Sequence, residues 1–257
     1  MNQPASNKAQ FFSYYVWDRS VRLFHWINLI CVLGLISVGL VILYDKSLGV
    51  SDEGKIILKT VHAYFGYVFV LNLAWRVVWG FVGNSYSRWK SLLPFGKGYK
   101  DALGAYLSGI KGSHPPSYAG HNPLARLMVA FLFLLLISQA VTGLVLAGTD
   151  LYLPPFGHEI AEWVTGSGEQ HSKLAGLKPG AKEGLDQAAY KEMRAFRKPF
   201  ITTHKYGFYT LVIAILLHIA AVVVTELREK SALVSAMITG NKLFTERPLD
   251  AIENEEK

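Results

Sequence analysis

Four stretches of the chain are almost uninterrupted runs of apolar residues: Val21–Leu43, Leu58–Val82, Leu124–Ala147 and Phe200–Thr225. Each is close to the ~20 residues that a helix needs to cross the hydrocarbon core of a bilayer. No water reaches backbone N–H and C=O groups there, so each run must satisfy them internally, as a helix. The pattern predicts an all-α membrane protein, a four-transmembrane-helix bundle. No internal repeat is evident, and one domain over residues 14–230 accounts for the four runs.

The polar segments complete the layout. Residues 1–13 read as a loose arm, followed by an interfacial anchor of Tyr14, Tyr15, Trp17, Trp26, Arg19 and Arg22. Residues 84–123 are rich in Gly, Pro and Lys and end at Asn122-Pro123, a natural helix start. The connection Thr149–Pro199 is the longest, at 51 residues, and a connection of that length usually has a task. Within it LYLPPFGHEIAEWV reads as a segment lying on the membrane surface, and LDQAAYKEMRAFRKP as a short amphipathic helix. Residues 231–257 read as an amphipathic segment and an acidic tail.

Composition agrees with a membrane setting: 51% of the residues are hydrophobic and 18% charged, against about 25% charged in soluble domains. The net charge of +7 is explained by orientation before nucleic acid is considered. Lys8, Arg19 and Arg22 lie before or at the very start of the first run, and five basic residues against Asp101 alone follow the second. Both termini are therefore expected in the cytoplasm, with the protein in the bacterial inner membrane. Cys31 is the only cysteine, which excludes an internal disulfide, a cysteine-rich iron–sulfur site and Cys-x-x-Cys-His haem attachment. The first apolar run is too long, and lacks the cleavage site, for a signal peptide.

Chemistry enters with the histidines. His204 and His218 lie fourteen residues apart in the fourth run, which returns them to nearly one helix face, roughly 21 Å apart along the axis. Ionisable groups at such depth are costly and mark function, and imidazole is an axial ligand of haem iron. Threading the runs alternately through the bilayer matches His62 with His204 near the outer face and His25 with His218 toward the inner face. Each pair suits one non-covalent haem b, two in all. A structural metal site would bring more carboxylate or thiolate ligands. Gly34, Ser37, Gly39 and Gly66 leave room for a helix or a flat ring, and Gln139, Thr142 and Gly143 are contacts for a cofactor or another helix. Arg22, Arg76, Arg126 and Lys205 are candidates to pair with haem propionates, Arg76 being equally able to snorkel to the surface. His114, His121, His158 and His171 read as solvated loop residues without a role.

The segments RLFHW, HAYFGYVFVLNLAWRVVWGFVG, GHNPLARLM and HKYGFY…LLHI resemble the di-haem four-helix b-type cytochromes that include the cytochrome subunit of nickel–iron hydrogenases, over residues 14–245. The resemblance implies haem ligation by His25, His62, His204 and His218, and electron transfer from a partner to quinone in a respiratory chain. The hydrogenase subunits carry a short Arg-Glu-Asp tail soon after the last histidine; here Glu226–Lys230 leads into SALVSAMITGNK instead. That departure points to a related branch with another donor, such as a c-type cytochrome, beside a hydrogenase-like complex. The expected function is thus an electron-transfer subunit rather than a stand-alone enzyme. A self-sufficient quinone-linked oxidoreductase acting on a small molecule is the alternative, and a haem-bearing anchor a third reading.

Overall fold

The structure is a computed structural model. It describes residues 11–112, 115–166, 177–180, 184–229 and 231–252. A short strand β1 (Phe12–Tyr15) precedes α1 (Arg19–Leu43) and α2 (Asp52–Val82). The small helices α3 (Trp89–Leu92) and α4 (Tyr99–Lys111) lead to α5 (Pro123–Leu151). Then follow α6 (Gly157–Thr165), α7 (Gln187–Glu229), α8 (Leu233–Thr239) and β2 (Asn241–Phe244). Among the described residues α1, α2, α5 and α7 are long and apolar enough to cross a membrane. Much of their outer surface is apolar, with Ile30, Leu71, Phe81, Leu134 and Leu216 all exposed. So much exposed apolar surface is unfavourable in water; in a bilayer it meets lipid.

Each span starts at a side-chain cap. The Asp18 carboxylate accepts from Val21 N–H at 2.9 Å, and the Ser51 hydroxyl from Gly54 N–H at 3.1 Å. The Asn122 amide oxygen accepts from Ala125 N–H at 2.7 Å, with Pro123 at the first helical position. Asp186 accepts from Ala188 and Ala189 N–H at 2.8 and 3.0 Å. These bonds satisfy donors that the first helical turn leaves open, about 1 kcal/mol each.

The fourth span differs from its expected form. The segment LDQAAYKEMRAFRKP is not a separate helix: α7 begins at Gln187 and runs 43 residues through Pro199. At 1.5 Å per residue that is about 65 Å, twice what the bilayer requires. Pro199 removes one backbone donor, but the flanking turns and the packing of the early part of α7 hold the helix through it.

By its contacts the chain divides into two units. The first comprises the described residues up to His25, Trp75–Phe133 and those from Ala214 onward. Here β1 and β2 pair antiparallel, Phe12 opposite Phe244 and Tyr15 opposite Asn241. Val16 and Trp17 N–H both donate to the Gly240 carbonyl. Gly240 has φ +90°, and a Cβ there would lie 2.5 Å from the Tyr15 ring and 2.7 Å from the Trp17 carbonyl oxygen, so only glycine fits. Tyr14, Val16, Trp17, Tyr86, Ala119, Ala236 and Phe244 form a buried core. Asp250 accepts from Ala119 and Gly120 N–H at 2.6 and 2.9 Å, while Lys242 donates to the carbonyls of Tyr118 and Gly120. Phe12 and Ser13, the end of the segment expected to be a loose arm, are thus tied to the tail, which is itself held in this unit as far as Ile252. Residues 1–10 and the last of the acidic tail, 253–257, lie outside the described residues.

The second unit comprises Trp26–Ala74 and Leu134–Ile213. Helix α6 buries Ile160 and Val164 against Met193 of α7, with Tyr152, Trp163 and Tyr190 around them. Within LYLPPFGHEIAEWV, Ile160 and Val164 thus pack on the extension of α7. Asp150 at the end of α5 receives Lys59 of α2 at 2.6 Å and a two-pronged contact from Arg197 of α7. These side chains are mostly buried, and two cations share one carboxylate. Asp150→Asn leaves both cations without their anion; we expect a loss of about 2 kcal/mol, read as a lower thermal midpoint in mild detergent.

Candidate functional site

The second unit brings the rings of His62 of α2 and His204 of α7 next to each other, edge to face. Their ring centres are 6.2 Å apart and the ring planes stand at 75°. Each imidazole has a glycine beside it on a neighbouring helix. A Cβ at Gly39 of α1 would lie 3.3 Å from His62 Cε1, and one at Gly143 of α5 would lie 3.5 Å from His204 Cε1. A Cβ at Gly66, one turn after His62, would meet nothing within 4 Å. His204 Nδ1 lies 2.9 Å from Thr142 Oγ1, and Gln139 Nε2 donates to the His204 carbonyl at 3.2 Å. His62 Nδ1 is buried and makes no hydrogen bond among the described residues.

In the first unit His25 of α1 and His218 of α7 are within electrostatic reach of each other. Arg76 is 3% exposed and does not snorkel. Its guanidinium sits 5.5 Å from the Trp89 ring, 5.6 Å from Phe133 and 6.0 Å from Phe24, donating to the Ser87 carbonyl at 3.0 Å. This aromatic cage holds a cation where hydrocarbon alone would not. Arg76 Nη1 remains buried with no hydrogen bond among the described residues. Arg22 donates to the Ile238 carbonyl, and Arg126 to the carbonyls of Lys90 and Leu93 while lying over Tyr99. Both guanidinia thus tie spans to backbone of this unit. Lys205 is exposed on α7.

The chain matches the family described as prokaryotic cytochrome b561 over residues 16–240. It belongs to that family. Relatives described as probable Ni/Fe-hydrogenase B-type cytochrome subunits include one from Rhizobium leguminosarum bv. viciae, 26% identical over 91% of each chain. One from Cupriavidus necator is 23% identical over 90% of this chain and 87% of that one. The counterpart from Escherichia coli K12, a Ni/Fe-hydrogenase 1 subunit, is 32% identical over 57% of this chain and 64% of its own. No solved structure matches the chain.

A member of the prokaryotic cytochrome b561 family is an electron-transfer protein of the membrane that carries haem b. An imidazole nitrogen binds a metal at about 2 Å, so ring centres 6.2 Å apart leave room for one iron that His62 and His204 would hold between them. The glycines beside both rings and the clear space at Gly66 suit a flat macrocycle. Among the described residues no three His, Cys, Asp or Glu side chains gather as a metal cluster would need.

Sequence reasoning passed over two residues. Thr142 was only a generic contact, because nothing in the sequence says which way a threonine on an apolar helix points. His121 was set aside as a solvated loop histidine, yet its ring lies 4.8 Å from Trp17 and its Nδ1 is buried with no hydrogen bond among the described residues. Its place directly before the helix start Asn122-Pro123 was the available signal. His158 pairs with Glu162 at 3.2 Å as an exposed surface contact, and His114 and His171 lie outside the described residues.

Burial, reinforced by the charges of Lys242, Arg76, His218 and Arg126, pushes His121 down to about 3. The folded protein keeps this ring neutral while the unfolded chain protonates it below its ordinary value of 6.5. Its contribution to stability is therefore complete above that value and drains away as pH falls toward 3. Unfolding in detergent should show a loss of about 2 kcal/mol by about pH 4.5, and His121→Phe should remove that part of the slope.

Proposed function

We propose that the chain is the transmembrane, di-haem electron-transfer subunit of an oxidoreductase complex, passing electrons between a redox partner protein and membrane quinone. The observation that carries this reading is the opposition of His62 and His204 at 6.2 Å on two different spans. Haem b, when bound, supplies a one-electron couple. The chain supplies the rest: His62 and His204 hold one iron, and His25 and His218 hold a second. The spans keep water from both sites and so raise the energetic weight of each polar contact. Arg22, Arg76 and Arg126 each keep one buried guanidinium nitrogen without a hydrogen bond among the described residues, and each could pair with a haem propionate. Lys205 is exposed, which leaves it less to offer.

The basic residues flanking the spans support both termini in the cytoplasm of the bacterial inner membrane, with the His62–His204 site toward the outside. The relatives' descriptions favour a hydrogenase-like partner over the c-type cytochrome that the Glu226–Lys230 segment suggested. Purification from its native membrane in mild detergent decides the partner: co-purifying large and small hydrogenase subunits support it, and a c-type cytochrome in their place overturns it.

The haem assignment is tested by pyridine haemochrome against protein concentration. Two haems b per chain are expected, and a ratio near one or a c-type spectrum refutes the di-haem reading. In redox-titrated optical spectra His204→Ala and His218→Ala should each remove a different component. Loss of the same component in both would show the histidine pairing to be wrong.

A further inference from the structure

The Thr142–His204 contact fixes more than position. Thr142 is 6% exposed and has one hydroxyl proton to give. Its Oγ1 lies 2.7 Å from the Ser138 carbonyl, one turn back on α5, and 3.3 Å from the Gln139 carbonyl. Carbonyl oxygens only accept, so the proton goes to them, and the shorter contact takes it. Toward His204 Nδ1, at 2.9 Å, the hydroxyl oxygen can then only accept. The Nδ1 must carry a proton, and Nε2 is left with a free lone pair. The opposite tautomer would place a proton on Nε2 and leave two acceptors facing each other at Nδ1.

We propose that Thr142 is a positioning residue for haem: its hydroxyl holds His204 as the Nδ1–H tautomer and sets the electron-donating strength of that ligand. This inference rests on the reading of His204 as a haem ligand. Gln139 supports the same arrangement by bonding the His204 carbonyl, and Gly143 lets α5 approach the ring. The opposing ligand has no such partner, since His62 Nδ1 is buried without a hydrogen bond among the described residues. The two axial ligands of this haem are therefore unequal, and Thr142 controls the stronger one. An acceptor at Nδ1–H makes the imidazole more electron-rich, which favours the oxidised iron and lowers the potential. A hydroxyl does this more gently than a carboxylate.

The test is a potentiometric titration of the haem-loaded protein, following the optical component that His204→Ala abolishes. Thr142→Val keeps the shape and removes the acceptor, so this component should remain and its midpoint should rise, with the other component unmoved. Thr142→Ser keeps the hydroxyl and should restore the original midpoint. The low-spin ferric EPR signal of the same haem should move in Thr142→Val and not in Thr142→Ser, because the ring is no longer held. If Thr142→Val does not assemble, Thr142→Ala carries the same comparison. An unmoved midpoint in the hydroxyl-free variant, or an equal rise in Thr142→Ser, overturns the proposal while leaving His204 as ligand. Retention of every haem component in His204→Ala instead overturns the ligand reading on which it stands.

Discussion

Two imidazoles facing each other at 6.2 Å from separate spans impose the constraint that the second unit is arranged to meet. Side chains of that size reach only a few ångströms, so α2 and α7 must hold a fixed separation to bring the two rings together. The neighbouring helices carry glycine where their backbones pass the imidazoles: a Cβ at Gly39 would crowd His62 at 3.3 Å, and one at Gly143 would just touch His204 at 3.5 Å. Gly34 plays a similar part against Phe65, whose ring would lie 2.8 Å from an added Cβ. The close approaches on this side of the protein are met with small residues rather than with bends in the helices.

Polar groups inside an apolar solvent need partners, and the two units solve this differently. In the second, Asp150 collects Lys59 and Arg197, so three charged groups from three spans share one cluster. In the first, the cation Arg76 is surrounded by three aromatic faces and a backbone carbonyl. The ring quadrupole stabilises a charge without supplying an anion, which leaves part of the guanidinium available to an anionic ligand. Lys242 is a related case. It is 3% exposed, bonds two carbonyls and lies over Trp17 and Phe244, and burial pushes it down to about 8.

The ends of the chain are built into the first unit through backbone bonding. The β1–β2 pairing joins residues more than 220 positions apart, and Asp250 caps the backbone at Ala119 and Gly120. His121 follows immediately, so the tail orders the loop that carries a buried histidine.

Length and hydropathy alone determined the four spans, since hydrocarbon tolerates only helices of about that length with their backbone bonds closed inside them. The helix start at Asn122-Pro123 was equally legible, because its cap is a local bond within a few residues. The four histidines stood out because imidazole is rare in such runs, and the expected pairing of His62 with His204 needed only their depth. The tertiary structure decided what depends on direction and on distant contacts. Whether Arg76 turns to the surface or into a ring of aromatics, and whether Thr142 points at His204 or at lipid, depends on helix rotation, which an all-round apolar sequence leaves open. The continuity of α7 through Pro199 and the pairing of Phe12–Tyr15 with Asn241–Phe244 depend on packing and partners far along the chain, which no local pattern encodes.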